Sequence, residues 1–126
     1  VVVITGDGEL LMNIGSLASV ATMAPKNLSI ICIDNGCHGE TGGQTGHTSK
    51  NTDLSKMAEG AGIAAIMTIE RQEELEAGRK FLANKISPRF MQIRVTDGPP
   101  ANFKRNLNPV HCRNRFRDAY LKNCHK

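Results

Sequence analysis

The sequence contains no tryptophan, one tyrosine and four phenylalanines. A core must therefore be built from aliphatic side chains and methionine, and there is no aromatic platform on which nucleic-acid bases could stack. No C-x-x-C pair occurs. The four cysteines stand at 32, 37, 112 and 124, a spacing that argues against the common zinc modules. Cys32 lies in an apolar run and reads as a core thiol, and the overall pattern suits a reducing cytoplasm. No apolar run approaches the roughly 20 residues needed to span a bilayer, and no signal peptide is visible, so membrane association is not expected. The chain lacks an initiator methionine and opens inside an apparent strand, which reads as part of something longer with its N-terminal portion missing. Acid is nearly absent from the last stretch. Residues 101–126 carry seven Lys/Arg against the single acid Asp118, whereas residues 1–100 carry nine against eleven. The tail reads as a solvated basic helix, or else as a surface for an acidic partner or anionic substrate. Nucleic acid is not expected as a partner.

What is present fits one compact domain. The chain has 126 residues, 40% of them hydrophobic, and twelve glycines concentrated between Gly6 and Gly62. Val1 to Thr5 is a continuous apolar run, as in a strand buried on both faces. Gly6-Asp7-Gly8 interrupts it. Glu9 to Met23 reads as one helix with Leu10, Ile14, Leu17 and Ala21 at helical spacing, ended by Pro25. Leu28 to Asp34 is a second buried strand. Asn35 to Asn51 has five glycines, two histidines and no periodicity, a loop long enough to be functional. Asp53 is placed to cap a helix through Glu59, with Gly60 and Gly62 ending it. Ala64 to Ile69 reads as a strand, Arg71 to Asn84 as an amphipathic helix with Leu75, Gly78, Phe81 and Leu82 inward, and Arg89 to Val95 as a strand. Asp97-Gly98-Pro99-Pro100 is a turn, and Pro109 to Leu121 a last, basic helix. Strands alternating with helices predict an α/β fold: an open, mostly parallel sheet covered on both faces, with residues 1–98 as core and 99–126 as tail.

Ligands of such sheets bind at the carboxyl ends of the strands. Asp7 follows the first strand and Asp34-Asn35 closes the second. If those strands are neighbours, about 5 Å apart, a carboxylate and an amide oxygen can reach one ion. Magnesium takes hard oxygen ligands, typically one or two carboxylates plus phosphate oxygens. The loop after Asn35 can turn a carbonyl inward. Gly8 permits close approach of a diphosphate, and the helix beginning at Glu9 offers free N–H groups.

Gly6-Asp7-Gly8 followed 28 positions on by Asn35 resembles the cofactor motif of thiamine-diphosphate enzymes, with Asp34 standing where the motif often has a first Asn. The resemblance implies magnesium ligation by Asp7, Asn35 and the carbonyl of Cys37. It also implies cofactor binding by backbone groups around Gly6, Gly8 and Glu9, with His38 close by. Gly6 to Ala18, Asp34-Asn35-Gly36 and Glu40-Thr41-Gly42-Gly43-Gln44 are similar to sulfopyruvate decarboxylase beta subunits and to the matching domain of phosphonopyruvate decarboxylases. That similarity implies thiamine diphosphate and magnesium as cofactors and decarboxylation of a small anionic 2-oxo acid as the reaction. It further implies oligomeric assembly with a pyrimidine-binding subunit or domain, whose glutamate activates the cofactor. Glu9 and Glu40 lie on the diphosphate side and do not fill that role. His38, three positions after Asn35, is the candidate catalytic residue, for substrate contact or proton relay. Thr41, Gly42, Gly43 and Gln44 are candidate substrate donors. His47, in the same loop, reads more simply as solvated. An acetolactate-synthase-like carboligase and a non-catalytic cofactor-binding scaffold remain as alternatives. A 2-oxo acid oxidoreductase would bring iron–sulfur cysteines, whose spacing is missing.

Overall fold

The computed structural model describes residues 1–98 and 106–124. A four-stranded parallel sheet organises residues 1–98, with β1 (Val2–Gly6), β2 (Ser29–Asp34), β6 (Arg89–Arg94) and β5 (Ala65–Ile69) side by side in that order. The expected α/β class and parallel sheet are both present. Gly6 lies opposite Ile33, Ile33 opposite Ile93, and Ile69 opposite Ile93, so all four strands end together. Between β2 and β5 the chain makes a two-stranded antiparallel hairpin, β3 (Cys37–His38) with β4 (Gln44–Thr45).

One face of the sheet carries Ile30, Cys32 and Phe90, which pack with Leu10 of α1 (Asp7–Met12), Leu17 of α2 (Ser16–Met23), and Leu54 and Ala58 of α3 (Leu54–Gly60). Phe90, Leu54 and Cys32 are completely buried, and full burial of a large apolar side chain is worth about 1.5–3 kcal/mol. Burial also pushes the Cys32 thiol up to about 12, with the charges of Asp34 and Asp7 adding to the effect. The opposite face presents Ile69 and Met91 to α4 (Leu75–Ala83). There Gly78 lets the helix sit so close that an added Cβ would lie 2.4 Å from the Ile69 Cδ1 methyl. Helices thus cover both faces, as expected.

Four expectations are corrected. The helix expected over Glu9 to Met23 is two helices, because Asn13, Ile14 and Gly15 form a turn in which the Ser16 amide donates to the Asn13 carbonyl. Asn and Gly are poor helix formers, and the bend lets both Leu10 and Leu17 reach the sheet. The first strand is not buried on both faces. It is the sheet's edge, with Val2 60% and Ile4 69% exposed. The segment from Asn35 to Asn51 is not structureless, since it contains the β3–β4 hairpin and a 3-10 turn at Gly39–Thr41. Leu75, expected to face inward, is exposed, while Gly78 is buried. The last helix, α5 (Pro109–Cys124), is where the sequence puts it. The turn at 97–100 falls partly outside the described residues. Among the described residues no helix is long and apolar enough to cross a membrane.

Candidate functional site

Adjacent parallel strands ending in register bring Asp7 and Asp34 side by side. β1 stops at Gly6, and the chain turns directly into α1, whose first residue is Asp7. Asp7 and Asp34 are both buried, 3% and 4% exposed. Among the described residues neither lies within ion-pair distance of a Lys, Arg or His. Buried negative charge with no protein cation beside it is expensive unless a metal ion or equivalent compensates.

The two carboxylates differ in how they are held. Asp34 Oδ1 accepts from the Gly36 N–H at 3.0 Å and from the Thr48 hydroxyl at 2.6 Å, while its Oδ2 accepts from Gln92 Nε2 at 2.6 Å. Asp7 Oδ2 accepts only from the same Thr48 hydroxyl, at 3.1 Å, among the described residues. Asn35 follows β2 in a tight turn in which its Oδ1 accepts from the Cys37 N–H at 3.2 Å. Asp34, Asn35, Gly36, Thr48 and Ser49 line a cavity of about 170 Å³ together with Arg94 and Val95 at the end of β6. Desolvation first, then the neighbouring Asp97 carboxylate as acceptor and as charge, then the charge of Asp7 push the Cys37 thiol above its ordinary range.

The glycine-rich segment is tied down at several points. Gly46 N–H donates to the Gly36 carbonyl at 2.7 Å, and the Ser49 hydroxyl donates to the same oxygen at 2.5 Å. His38 lies over the Gly-Asp-Gly turn. A Cβ on Gly8 would meet the His38 ring at 2.8 Å, and the ring also meets His47 edge-on with centroids 6.3 Å apart. The structure therefore brings His38 to Gly8 and puts Asn35 and Cys37 in the turn that follows β2. Thr41, Gly42, Gly43 and Gln44 form the exposed hairpin tip, where their donors are turned on one another. Thr41 Oγ1 donates to Gln44 Oε1 at 2.8 Å, Gln44 Nε2 to the Thr41 carbonyl at 2.9 Å, and the Gly43 N–H to the His38 carbonyl at 2.9 Å. Glu9 folds back so that its Oε2 accepts from the Gly6 N–H at 3.3 Å and from the Thr5 hydroxyl at 2.9 Å. One of the amides expected at the cofactor is thus engaged by a side chain.

The donor set suits magnesium. The buried carboxylate of Asp7, the amide oxygen of Asn35 and nearby carbonyls are hard oxygen donors. Among the described residues no group of three or more His, Cys, Asp or Glu side chains is placed to hold a metal ion, so the fit to magnesium rests on one carboxylate with amide and carbonyl oxygens. Thr48, Gln92, Gly46 and Asp97 were not legible as site residues. Gly46 and Thr48 come from the segment after the β3–β4 hairpin, and Gln92 and Asp97 from β6 and the residues after it. Only the short spacing from Gly36 to Gly46 hinted at a closed turn.

The thiamine pyrophosphate enzyme C-terminal TPP binding domain matches residues 1–93. The chain is 38% identical to the sulfopyruvate decarboxylase subunit beta of Methanocaldococcus jannaschii, over 94% of this chain and 63% of that protein. It is 31% identical to the subunit of the same name from Methanococcus maripaludis, over 97% of this chain and 65% of that one. It is 34% identical to a phosphonopyruvate decarboxylase of Streptomyces hygroscopicus, over 94% of this chain and 29% of that protein. The chain spans less than two thirds of the length of these relatives.

Proposed function

The chain belongs to the thiamine pyrophosphate enzymes through their C-terminal TPP binding domain, and we propose that it binds the diphosphate and magnesium of that cofactor for the decarboxylation of sulfopyruvate. The observation that carries this reading is the buried Asp7 carboxylate, without a protein cation among the described residues, at the end of β1 beside the Asn35 turn of β2. Asp7, Asn35 and the Cys37 carbonyl would hold magnesium. Backbone groups at Gly6, Gly8 and Glu9 would face the diphosphate. Thiamine diphosphate, when bound, supplies the electron sink that accepts the electron pair released with carbon dioxide.

The chain's own residues have separate tasks in this reading. Asp7 supplies the negative charge that fixes the cation, and the Asn35 turn fixes its direction. His38, packed on Gly8, would face the cofactor from there and contact substrate or hold a proton. Thr41 and Gln44 engage an anionic substrate only by exchanging their mutual hydrogen bonds for bonds to it. The glutamate that activates the cofactor belongs to a pyrimidine-binding partner, so the active form is an oligomer. Free thiols such as Cys32 and Cys112 are compatible with a reducing cytoplasm.

Complementation tests the proposal. The chain mixed with a pyrimidine-binding subunit, thiamine diphosphate and magnesium is expected to release carbon dioxide from 3-sulfopyruvate, and the chain alone to release none. Faster release from phosphonopyruvate would move the assignment to that substrate, which the similarity to phosphonopyruvate decarboxylases also favours. Turnover by the chain alone would overturn the partner requirement.

A further inference from the structure

We propose that Thr48 is a positioning residue for the metal ligand Asp7, held in place by Asp34 as a fixed anchor. The inference rests on the proposed role of Asp7 toward magnesium.

The argument starts from the direction of each hydrogen bond. A carboxylate only accepts, so Gln92 must turn its Nε2 toward Asp34 Oδ2. Its Oε1 then faces Ser55, whose hydroxyl donates to it at 2.9 Å. Ser55 Oγ is left to accept from the Thr68 hydroxyl at 2.7 Å. The chain Thr68, Ser55, Gln92 thus sends every proton toward Asp34, across β5 and β6 to the end of β2. Gln92 is fully buried, so no solvent exchange loosens it. With the Gly36 amide on its other oxygen, Asp34 has three donors and cannot rotate without stranding one of them.

Thr48 is the only described group that hydrogen-bonds both carboxylates. Its hydroxyl has one proton, and it stands 2.6 Å from Asp34 and 3.1 Å from Asp7. Both carboxylates can accept only if that proton is shared in a three-centre bond, whose stronger branch ties the hydroxyl to the anchor and whose weaker branch steadies Asp7 Oδ2 without saturating it. Asp34 is fully supplied with donors, while Asp7 keeps lone pairs for a cation, and this difference selects Asp7 as the ligand of the two. Groups that orient metal ligands in this way typically change metal affinity 10–100-fold when removed.

The test is titration of magnesium chloride into the full chain saturated with thiamine diphosphate, read by calorimetry. Thr48→Val keeps the shape and removes the hydroxyl. It is expected to weaken magnesium binding about ten- to a hundred-fold, and Thr48→Ser to restore it close to wild type. Gln92→Met, which takes one donor from the anchor, is expected to weaken binding by less. Asp7→Ala is expected to abolish saturable binding. Wild-type affinity in Thr48→Val alongside a dead Asp7→Ala overturns the positioning role and leaves the ligand assignment standing. A Thr48→Ser variant as weak as Thr48→Val also overturns it, because packing rather than the hydroxyl would then be responsible. Wild-type affinity in Asp7→Ala overturns the ligand assignment and the inference with it. Should Thr48→Val fail to fold, Gln92→Met decides, and unchanged affinity there overturns the proposal.

Discussion

At Gly46 a side chain has no room. A Cβ there would lie 2.9 Å from the Gly36 carbonyl oxygen and 3.2 Å from Asp7 Oδ2. The first obstacle is backbone and the second is a buried carboxylate, so neither can swing away as a flexible chain end would. Gly46→Ala is therefore expected to destabilise the chain by about 1–3 kcal/mol through overpacking. It should also weaken magnesium binding, because the Gly36 turn and Asp7 are forced apart. Urea denaturation and the magnesium titration measure the two effects. A wild-type unfolding midpoint would show that the turn yields more than its geometry implies. Gly8 differs in kind. Its nearest obstacle is the His38 ring, which can rotate, so crowding there threatens the orientation of His38 before it threatens the fold.

Among the elements, α3 shows how one cap sets a pH dependence. Asp53 Oδ1 accepts from the Lys56 N–H at 3.0 Å, one of the amides a helix start leaves unpaired. That bond is the main reason its carboxyl lies below the ordinary range, with the Lys56 charge contributing and desolvation opposing. A depressed folded-state value means that the stability is present above the unfolded carboxylate value, about 3.9, and is lost as pH falls through the folded one. Asp53→Ala is expected to cost about 1 kcal/mol at neutral pH, and the gap from wild type should narrow below pH of about 4. Asp53→Asn keeps the acceptor and should retain most of the stability with less acid sensitivity. Thermal melts at pH 7 and pH 3 compare the three, and a gap of equal size at both would remove the charge from the explanation. At the other face Arg89 serves α4, where its Nη1 donates to the Phe81 and Leu82 carbonyls at the helix C-terminus. A buried guanidinium is favourably placed against that end of the helix dipole. Its Nε has no hydrogen-bond partner among the described residues.

For the whole molecule, the buried core and the basic tail are separate matters. Every buried hydrophobic residue among those described lies between Leu10 and Met91. In α5 the described side chains are exposed except for the half-buried Cys112, with Phe116 and Tyr120 stacked on each other at 6.2 Å. Truncation after Gly98 is accordingly expected to leave the unfolding midpoint of the sheet domain unchanged by circular dichroism, while shifting the isoelectric point to the acidic side. A large fall in the midpoint would show that α5 supplies stability its exposure does not suggest. The apolar edge at Val2 and Ile4 runs the other way, since it exposes surface that a solvated strand would ordinarily keep polar.

The sequence by itself determined the class of fold, the parallel strands and the fact that Asp7 and Asn35 each directly follow a strand. Buried parallel strands are written as short apolar runs, and a Gly-Asp-Gly turn at a strand end is local chemistry. It also determined the cap at Asp53, because capping depends on residues three apart. Only the tertiary structure decided that Val2 and Ile4 lie at an edge, since a strand's neighbours are not encoded within the strand. The same holds for the bend at Asn13 to Gly15, which serves two separate contacts with the sheet. The roles of Thr48, Gln92 and Asp34 were equally out of reach. Thr48 stands 41 positions from Asp7, and Gln92 stands 58 from Asp34. The site's support is a set of hydrogen bonds between segments, and such bonds leave no periodic or local mark on the chain that makes them.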